Sequence, residues 1–398
     1  APCQGGCPIE QDIPEYMELC RKGLYAPALK LITQKNPLPF LTGTICAHRC
    51  QTKCSRNFYD ESVRIRDTKL LAAEKGYNAL MASIRVPERV PGKKAAIIGG
   101  GPTGIAAAYF LGRAGIEATI FERESCLGGV PRHVIPAFRI ANETIEKDIA
   151  LMEKYGVDVR CGAPAPSVKE LKAMGYTHIL FAVGAWKPGK LEIAGDVAGA
   201  IQWMKGVKAG NIAVGGSIAV VGGGNVAMDA ARSALRLGAE TVYIVYRRGM
   251  AELPARKEEV EHAEEEGIIF KTLCNPVEIL PDEDGFVKAI TCIEMELGEP
   301  DASGRRRPIE KKGSEFTMDV DTVIMSLGTS PNPLIRSTTP GLETNKHGCI
   351  VTDGDDGKTS RDGVYAGGDA VTGAATVIKA MGAGKAAAKA IDEYIQSK

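Results

Sequence analysis

The sequence predicts an α/β protein with an N-terminal helical domain followed by two Rossmann-like domains, the second inserted in the first. Residues 1–93 show helical spacing of apolar residues and no strand-like alternation. From Lys94, a short apolar strand is followed by a glycine-rich turn and an alanine-rich helix, and this pattern returns 123 residues later, measured from Gly101 to Gly224. The chain closes with another strand, glycine turn and helix. Alternation of strands and helices after such turns is typical of a parallel sheet.

Composition excludes several classes of protein. The 398 residues suffice for two or three domains, and 49 basic residues balance 49 acidic ones. This balance argues against nucleic-acid binding, which requires a basic excess. No apolar run is long enough to predict a membrane span. Six of the eleven cysteines lie in the first 54 residues. Without an export signal, they indicate metal or redox chemistry in the cytoplasm rather than a disulfide framework.

The N-terminal cysteines are predicted metal ligands. The predicted ligands are Cys3, Cys7, Cys46, Cys50 and Cys54. Thiolates on short loops with an adjacent proline are typical of iron–sulfur clusters, and zinc or two disulfides are the alternatives. Two four-iron clusters need eight ligands, so five thiolates complete one cluster, and a second would have to share residues upstream of Ala1. We therefore expect the domain to be truncated upstream. Cys20, within a predicted helix, fits a core position better.

The first glycine motif, Gly99-x-Gly101-x-x-Gly104, predicts an FAD site. It follows a buried strand and opens a helix. The glycines allow a tight turn, close approach of a pyrophosphate and close packing of helix on strand. The pyrophosphate is expected at the helix N-terminus. Glu122, at the end of the next strand, is suited to accept hydrogen bonds from a ribose diol, and Gly129 is a further predicted contact.

The second glycine motif predicts an NADPH site. Its predicted contacts are Gly222, Gly224, Asn225, Ala227, Arg247 and Arg248. The two arginines stand where the first unit has Glu122. Guanidinium groups form a planar fork of donors that suits the 2′-phosphate of NADPH. The alternative is that both arginines only solvate the end of a strand.

The C-terminal "YAGGDA" turn predicts the flavin end of the FAD site. Asp369, after Gly368, is expected to hold a ribityl hydroxyl, with helix capping as its alternative role. The next helix begins near Ala375 and Thr376, and its N-terminus is expected to face the flavin pyrimidine ring and stabilise negative charge there.

These motifs divide the chain into three predicted domains. The predicted ranges are 1–93 for the helical iron–sulfur domain, 94–190 with 326–398 for the FAD domain and 191–325 for the NADPH domain. The linker "VPERVPGKK" supports the first boundary. Two other functions remain open: a self-contained disulfide or peroxide reductase, disfavoured because no C-x2-C follows the flavin motif, and a non-catalytic scaffold that binds dinucleotides.

Longer stretches resemble the family of the small (beta) subunit of NADPH-dependent glutamate synthase. The stretches include "IIGGGPTGIAAAYFLGRAG", "VVGGGNVAMDAARSALRLGA" and "YAGGDAVTGAATVIKAM". Similar arrangements occur in dihydropyrimidine dehydrogenase and in bifurcating NADH-dependent ferredoxin:NADP oxidoreductase. The N-terminal "HRCQTKCSR" is closest to the selenate reductase branch associated with molybdenum hydroxylases such as xanthine dehydrogenase. The resemblance implies an electron-transfer subunit that links NADPH, FAD and one or two 4Fe-4S clusters to a partner, such as a molybdenum hydroxylase or a ferredoxin-like protein.

The resemblance also implies how the cysteines are shared. One cluster takes an upstream cysteine pair with Cys3 and Cys54, and the other takes Cys7, Cys46 and Cys50 with a Gln or Glu. That Gln or Glu falls near Lys69 here, and a protonated lysine cannot be a ligand. Asp67, Glu61 or another chain are the candidates in its place. The resemblance further implies that Glu252, Pro254 and Ala255 lie on the nicotinamide side.

Overall fold

The computed structural model describes residues 1–189, 191, 193, 198–302 and 304–397. Its helices are α1 (Pro2–Gly5), α2 (Ile13–Arg21), α3 (Tyr25–Thr33), α4 (Pro39–Ile45), α5 (Arg49–Thr52), α6 (Ile65–Ser83), α7 (Pro102–Arg113), α8 (Gly129–His133), α9 (Asn142–Glu153), α10 (Val168–Ala173), α11 (Ala200–Lys208), α12 (Asn225–Arg236), α13 (Lys257–Glu265), α14 (Leu334–Thr338), α15 (Asp369–Thr372) and α16 (Val377–Gln396). Short 3-10 helices span Ser55–Phe58 and Met250–Glu252.

The strands follow the same order along the chain. They are β1 (Lys94–Ile98), β2 (Glu117–Glu122), β3 (Asp158–Cys161), β4 (His178–Phe181), β5 (Lys187–Pro188), β6 (Ala198–Gly199), β7 (Ser217–Val221), β8 (Thr241–Tyr246), β9 (Ile269–Thr272), β10 (Cys274–Pro281), β11 (Val287–Pro300), β12 (Arg306–Asp319), β13 (Thr322–Met325), β14 (Thr329–Ser330), β15 (Thr352–Asp353), β16 (Lys358–Thr359) and β17 (Val364–Ala366).

The chain folds into two compact units. The first comprises Ala1–Arg132, Ala137–Lys187 and Ser330–Lys398, and the second comprises His133–Pro136 and Pro188–Thr329. The first unit therefore contains both the cysteine-rich helices and the first glycine motif. The three predicted domain ranges stay predictions.

The N-terminal part of the first unit is helical, as the apolar spacing predicts. Residues 1–93 contain helices α1–α6 and no strand. Helix α2 buries Ile13, Tyr16 and Cys20 on one face, since these positions recur at helical spacing. Cys20 lies in the core, as expected, and is only 8% exposed.

The remainder of the first unit is a seven-stranded sheet covered by helices. The strand order is β15-β16-β17-β4-β1-β2-β3, and β1 pairs in parallel with β2 and β4. Its central strands β1, β2 and β4 pair in parallel and are largely buried, as the run "KAAII" of β1 shows, which suits a sheet covered on both faces. Helix α16 packs against α7, and Thr103 donates to the Ala380 carbonyl at 2.9 Å. This contact brings the C-terminal helix to the first glycine motif.

The second unit repeats the strand–turn–helix plan in a five-stranded parallel sheet. Its strand order is β6-β13-β7-β8-β9. A three-stranded antiparallel sheet, β10-β11-β12, follows β9 and contributes to the same apolar core through Ile279, Ile290 and Cys292. The predicted strand after the second motif, "DTVIMSLG", corresponds to β13 beside β7. The short strands β5 and β14 form a two-stranded sheet of their own.

Candidate functional site

The first glycine turn has no room for side chains at Gly99, Gly104 and Gly129, whereas a Cβ on Gly101 would have no atom closer than 3.8 Å. Gly99 has a φ of +108°, a conformation that favours glycine. A Cβ on Gly104 would lie 2.0 Å from the Gly99 carbonyl oxygen, and one on Gly129 would lie 2.8 Å from the Gly101 Cα. Helix α7 begins after Gly101, and no side chain caps it. Its first N–H groups are therefore available to an anion, as a pyrophosphate site requires.

Glu122 is held against this turn. One oxygen accepts from the Gly100 N–H at 2.7 Å, and the other accepts from the Glu124 N–H at 2.9 Å. The residue is buried, and these bonds keep the carboxylate at the end of β2. A carboxylate accepts about four hydrogen bonds, so both oxygens retain capacity for a ribose diol. The structure thus brings Glu122 together with the predicted glycine residues.

The C-terminal turn lies beside the first one. A Cβ on Gly368 would lie 2.1 Å from the Thr103 hydroxyl, so the two turns approach closely. Asp369 accepts from the Ala375 N–H at 3.2 Å, and burial raises the pKa of Asp369 to about 6. This bond holds the segment before α16 and caps neither α15 nor α16, and it leaves the second carboxylate oxygen for a ligand. Thr376 precedes α16 without capping it by its side chain, so the first N–H groups of that helix lack side-chain partners.

The second glycine turn has the same architecture. A Cβ on Gly222 would lie 2.4 Å from the Ser326 carbonyl oxygen, whereas one on Gly224 would meet nothing within 4 Å. Ala227 is fully buried in the first turn of α12, and no side chain caps that helix. The open side at Gly224 together with the uncapped helix fits a pyrophosphate.

The segment before α13 is tied to this turn. Ala255 donates its N–H to the Gly223 carbonyl at 3.1 Å, and Arg256 donates its N–H to the Asn225 side chain at 2.9 Å. Asn225 therefore connects the turn to the segment that the resemblance places on the nicotinamide side. Sequence reasoning predicted Asn225 as a cofactor contact but did not find this second contact.

The two predicted phosphate-binding arginines differ. Arg247 is exposed at the end of β8. Arg248 is buried, and its guanidinium donates to Asp301 at 2.6 Å and to the Arg306 carbonyl at 2.7 Å. Arg248 thus holds the turn between β11 and β12. Arg247 is the guanidinium that remains exposed for a phosphate.

Three of the five predicted ligand cysteines line one cavity. The cavity has about 530 Å³ of empty space, including space open to solvent. Its lining includes Cys7, Cys46, Cys50, Gln11, Tyr16, His48, Lys69, Thr376, Ile378 and Lys379. One wall therefore comes from the cysteine-rich helices and another from the start of α16. Cys3 and Cys54 are outside this lining, and so are Asp67 and Glu61.

The cavity wall includes buried polar side chains such as Tyr16 and Lys69. The Tyr16 hydroxyl is buried without a hydrogen-bond partner among the described residues. Burial raises the pKa of Tyr16, and the nearby thiols of Cys50, Cys7 and Cys3 raise it further. Burial also raises the pKa of Cys50 to about 11, against the lowering effect of the Lys69 charge. The sequence did not predict that Tyr16 lines this cavity, because its spacing in the amphipathic helix α2 is that of an ordinary core residue.

This lining fits an anionic iron–sulfur cluster held by three thiolates. An orphaned hydroxyl and a buried ammonium are donors to anionic sulfur. Among the described residues, none of the eleven cysteines forms a disulfide. The described residues contain no group of three or more Cys, His, Asp or Glu side chains spaced to hold a single metal ion. A cubane binds each thiolate through a different iron, so its ligands stand farther apart than those of a single ion.

Comparison with known families decides the identity. Residues 93–384 match the model of the pyridine nucleotide-disulphide oxidoreductases. The chain belongs to this family. Residues 1–79 match dihydropyrimidine dehydrogenase domain II, a 4Fe-4S domain. These two matches confirm the predicted fold class and the predicted cofactors FAD, NADPH and a 4Fe-4S cluster.

Several curated proteins match this chain over nearly its whole length. The oxidoreductase YgfK of Escherichia coli is 39% identical over 98% of the chain, which spans 38% of the length of YgfK. The NADP(+)-dependent formate dehydrogenase subunit beta of Moorella thermoacetica is 36% identical, and the chain spans 60% of it. The glutamate synthase (NADPH) small chain of Azospirillum brasilense is 30% identical, and the chain covers 86% of it. The glutamate synthase resemblance is thereby confirmed.

Solved structures of low sequence identity share the fold. FprA of Mycobacterium tuberculosis in complex with NADPH superposes with a TM-score of 0.65 at 18% identity, covering 76% of this chain and 85% of FprA. Thioredoxin reductase of Lactococcus lactis gives a TM-score of 0.59 at 22% identity, covering 77% of this chain and 99% of that chain. Within the described part of the chain, no helix is both long and apolar enough to cross a bilayer.

Proposed function

We propose that this chain passes electrons between NADPH, FAD and an N-terminal 4Fe-4S cluster, to or from a partner protein. One observation carries the proposal. The cavity lined by Cys7, Cys46 and Cys50 is closed by Thr376 and Ile378, at the start of the helix expected to face the flavin. The same few residues thus border the predicted flavin and the predicted cluster.

The two predicted sites are connected through α16. Asp369 and the uncapped start of this helix would hold the flavin end of FAD, while Thr376, Ile378 and Lys379 line the cluster cavity. Thr103 of the first glycine helix fixes α16 through its bond to Ala380. A packed helix holds its residues in place more precisely than a loop does. The start of α16 therefore keeps the predicted flavin site and the predicted cluster site close together, which gives electrons a short path.

The residues of the chain bind and orient, and the cofactors supply the chemistry. Bound FAD accepts two electrons as a hydride from NADPH and releases them singly, which is the exchange an iron–sulfur cluster requires. Glu122 would hold the adenosine ribose of FAD and Arg247 the 2′-phosphate of NADPH. No side-chain acid or base is needed. The residues allow electron flow in either direction.

The partner is a second protein subunit or domain. Relatives named formate dehydrogenase subunit beta, NADPH-Fe(3+) oxidoreductase subunit beta and glutamate synthase small chain are parts of larger enzymes. The N-terminal resemblance favours a molybdenum hydroxylase or a ferredoxin-like protein as the partner here. We assign the protein to the cytoplasm, where thiolate ligands stay reduced.

Anaerobic reduction of the full-length protein tests the proposal. NADPH should bleach the flavin absorbance and then reduce the cluster, with NADH less effective at equal concentration. A scaffold would show no bleaching. A disulfide reductase would reduce a small disulfide substrate and contain no iron. Iron and labile sulfide per flavin give the number of clusters, so a value matching one cluster would contradict a second.

A further inference from the structure

Lys69 occupies an unusual position in the cluster cavity. It lies in the second turn of α6, is 5% exposed and lines the cavity with Cys7, Cys46 and Cys50. Among the described residues, no carboxylate lies within ion-pair distance of its ammonium group. The Lys69 charge nevertheless has a lowering effect on the pKa of Asp148 and on the pKa of Cys50. A buried ammonium without a partner is costly. The cavity therefore favours an anion beside Lys69.

Charge arithmetic matches this position to a cluster with three thiolates. An oxidised 4Fe-4S core carries two positive charges, and three thiolates carry three negative charges, which leaves one negative charge. Lys69, Arg49, Arg66 and Lys379 all line the cavity, so its charge favours such an anion. An ammonium has no lone pair to offer iron, so Lys69 itself cannot be a ligand.

Among the described residues, no carboxylate lines the cavity to provide a fourth ligand. The Gln11 carbonyl oxygen accepts from Asn36 at 2.7 Å. His48 makes a contact of its own. Asp67 and Glu61, considered from the sequence, are outside the lining. Three thiolates and several cationic side chains are thus what the lining offers.

We propose that this cavity holds a 4Fe-4S cluster through Cys7, Cys46 and Cys50 alone, with Lys69 as a charge-balancing neighbour and the fourth iron open to an exogenous ligand. This inference rests on the proposed function, since it requires the cluster. It predicts a labile iron. Oxidation of the core by ferricyanide would release one Fe²⁺ and leave a 3Fe-4S cluster with one positive charge, while the electron lost reduces ferricyanide to ferrocyanide.

Electron paramagnetic resonance of the full-length protein tests this lability. After stoichiometric ferricyanide, the wild type should give one 3Fe-4S signal per FAD, and added ferrous iron with dithionite should remove it. Lys69→Glu supplies a carboxylate ligand and should reduce the signal several-fold. Lys69→Met supplies no ligand and should keep it. Lys75→Glu, an exposed site on the same helix, is the control for charge.

The outcomes separate the two proposals. If the oxidised wild type keeps four irons in this cluster, a fourth ligand exists and the inference is overturned. If Lys69→Met loses the 3Fe-4S signal while binding FAD normally, Lys69 is needed for the cluster in another way, which also overturns it. Lys69→Gln replaces Lys69→Glu if a buried carboxylate prevents folding, with FAD content as the check. If Cys46→Ser removes no iron, no cluster occupies the cavity, and the proposed function itself fails.

Discussion

Arg247 and Arg248 are adjacent, yet their guanidinium groups face different surroundings. Arg248 donates to Asp301 and to the Arg306 carbonyl, whereas Arg247 is exposed. We expect Arg247→Glu to raise the KM for NADPH by at least about tenfold, since it replaces a charge-assisted donor by a repelling carboxylate. The KM for NADH should change little. Steady-state reduction of a dye with both nucleotides measures this ratio.

Two variants control this prediction. Lys312→Glu changes the same charge at an exposed site on β12 and should leave the nucleotide preference unchanged. Arg248→Ala removes hydrogen bonds to a carboxylate and should lower the free energy of unfolding by about 1.5–3 kcal/mol without changing the preference. If Arg248→Ala changes the preference for NADPH over NADH and Arg247→Glu does not, Arg248 binds the 2′-phosphate instead.

The cysteines of the cavity also give a prediction at the scale of single residues. Cys46→Ser removes one of three thiolates around the cavity, so iron and labile sulfide per FAD should fall by about one cluster. Cys349→Ser changes a buried cysteine outside the lining and should leave both values unchanged. Equal iron in the two variants would contradict the assignment of Cys46.

Helix α16 depends on close contact with α7. A Cβ on Gly384 would lie 2.1 Å from the Thr103 carbonyl oxygen, and backbone atoms cannot move aside as a side chain can. We expect Gly384→Ala to cost about 1–3 kcal/mol by overpacking and to weaken FAD retention, because we propose that α16 carries the flavin end of the site. Flavin released on gel filtration measures the effect.

Gly382→Ala on the same helix is the matched control. Its Cβ would lie 3.0 Å from the Ile9 side chain, which can shift. This variant should retain FAD far better than Gly384→Ala. If both variants lose FAD equally, an added methyl group disturbs α16 at either position. The result would then contradict a specific role for the contact between Gly384 and Thr103.

Elements that depend on local sequence could be predicted. Each glycine motif lies between one strand and one helix, so Gly99, Gly104 and Gly222 identified their turns without tertiary information. The pairing of Arg248 with Asp301 could not be predicted, because 53 positions separate the two residues and the turn between β11 and β12 has no recognisable motif. Tyr16 follows the apolar period of α2, and nothing local marks its hydroxyl as facing thiols.

The first unit joins helices from the cysteine-rich segment to the flavin-binding half by polar bonds across long sequence distances. Tyr109 donates to the Thr33 carbonyl and Tyr77 to the Lys147 carbonyl, both at 3.2 Å. Asp148 accepts from the Phe40 N–H at 3.1 Å and from the Leu41 N–H at 2.7 Å. Asp148 of α9 thereby caps the N-terminus of α4. The N-cap residue of α4, Leu38, provides no side-chain cap itself.

Burial of Asp148 makes the stability of the whole molecule depend on pH. Burial raises the pKa of Asp148 to about 8, although the bonds from Leu41 and Phe40 and the charges of Lys69 and Lys147 lower it. An unfolded aspartate titrates near ~3.9. Between these values the folded state holds a proton that the unfolded state lacks, so stability falls as the pH rises by up to about 1.4 kcal/mol per pH unit and levels off above the folded pKa.

Asp148→Asn removes this slope, since an amide does not ionise. The variant loses one backbone acceptor, so it should be less stable than the wild type near pH 5, by about 1 kcal/mol or more. The difference should shrink as the pH rises towards 8, because only the wild type is destabilised along that range. Urea midpoints of the helical signal at several pH values measure it, with Glu143→Gln on the exposed face of α9 as control. A constant difference between Asp148→Asn and the wild type would mean that Asp148 stays ionised in the folded protein, held so by its two backbone donors.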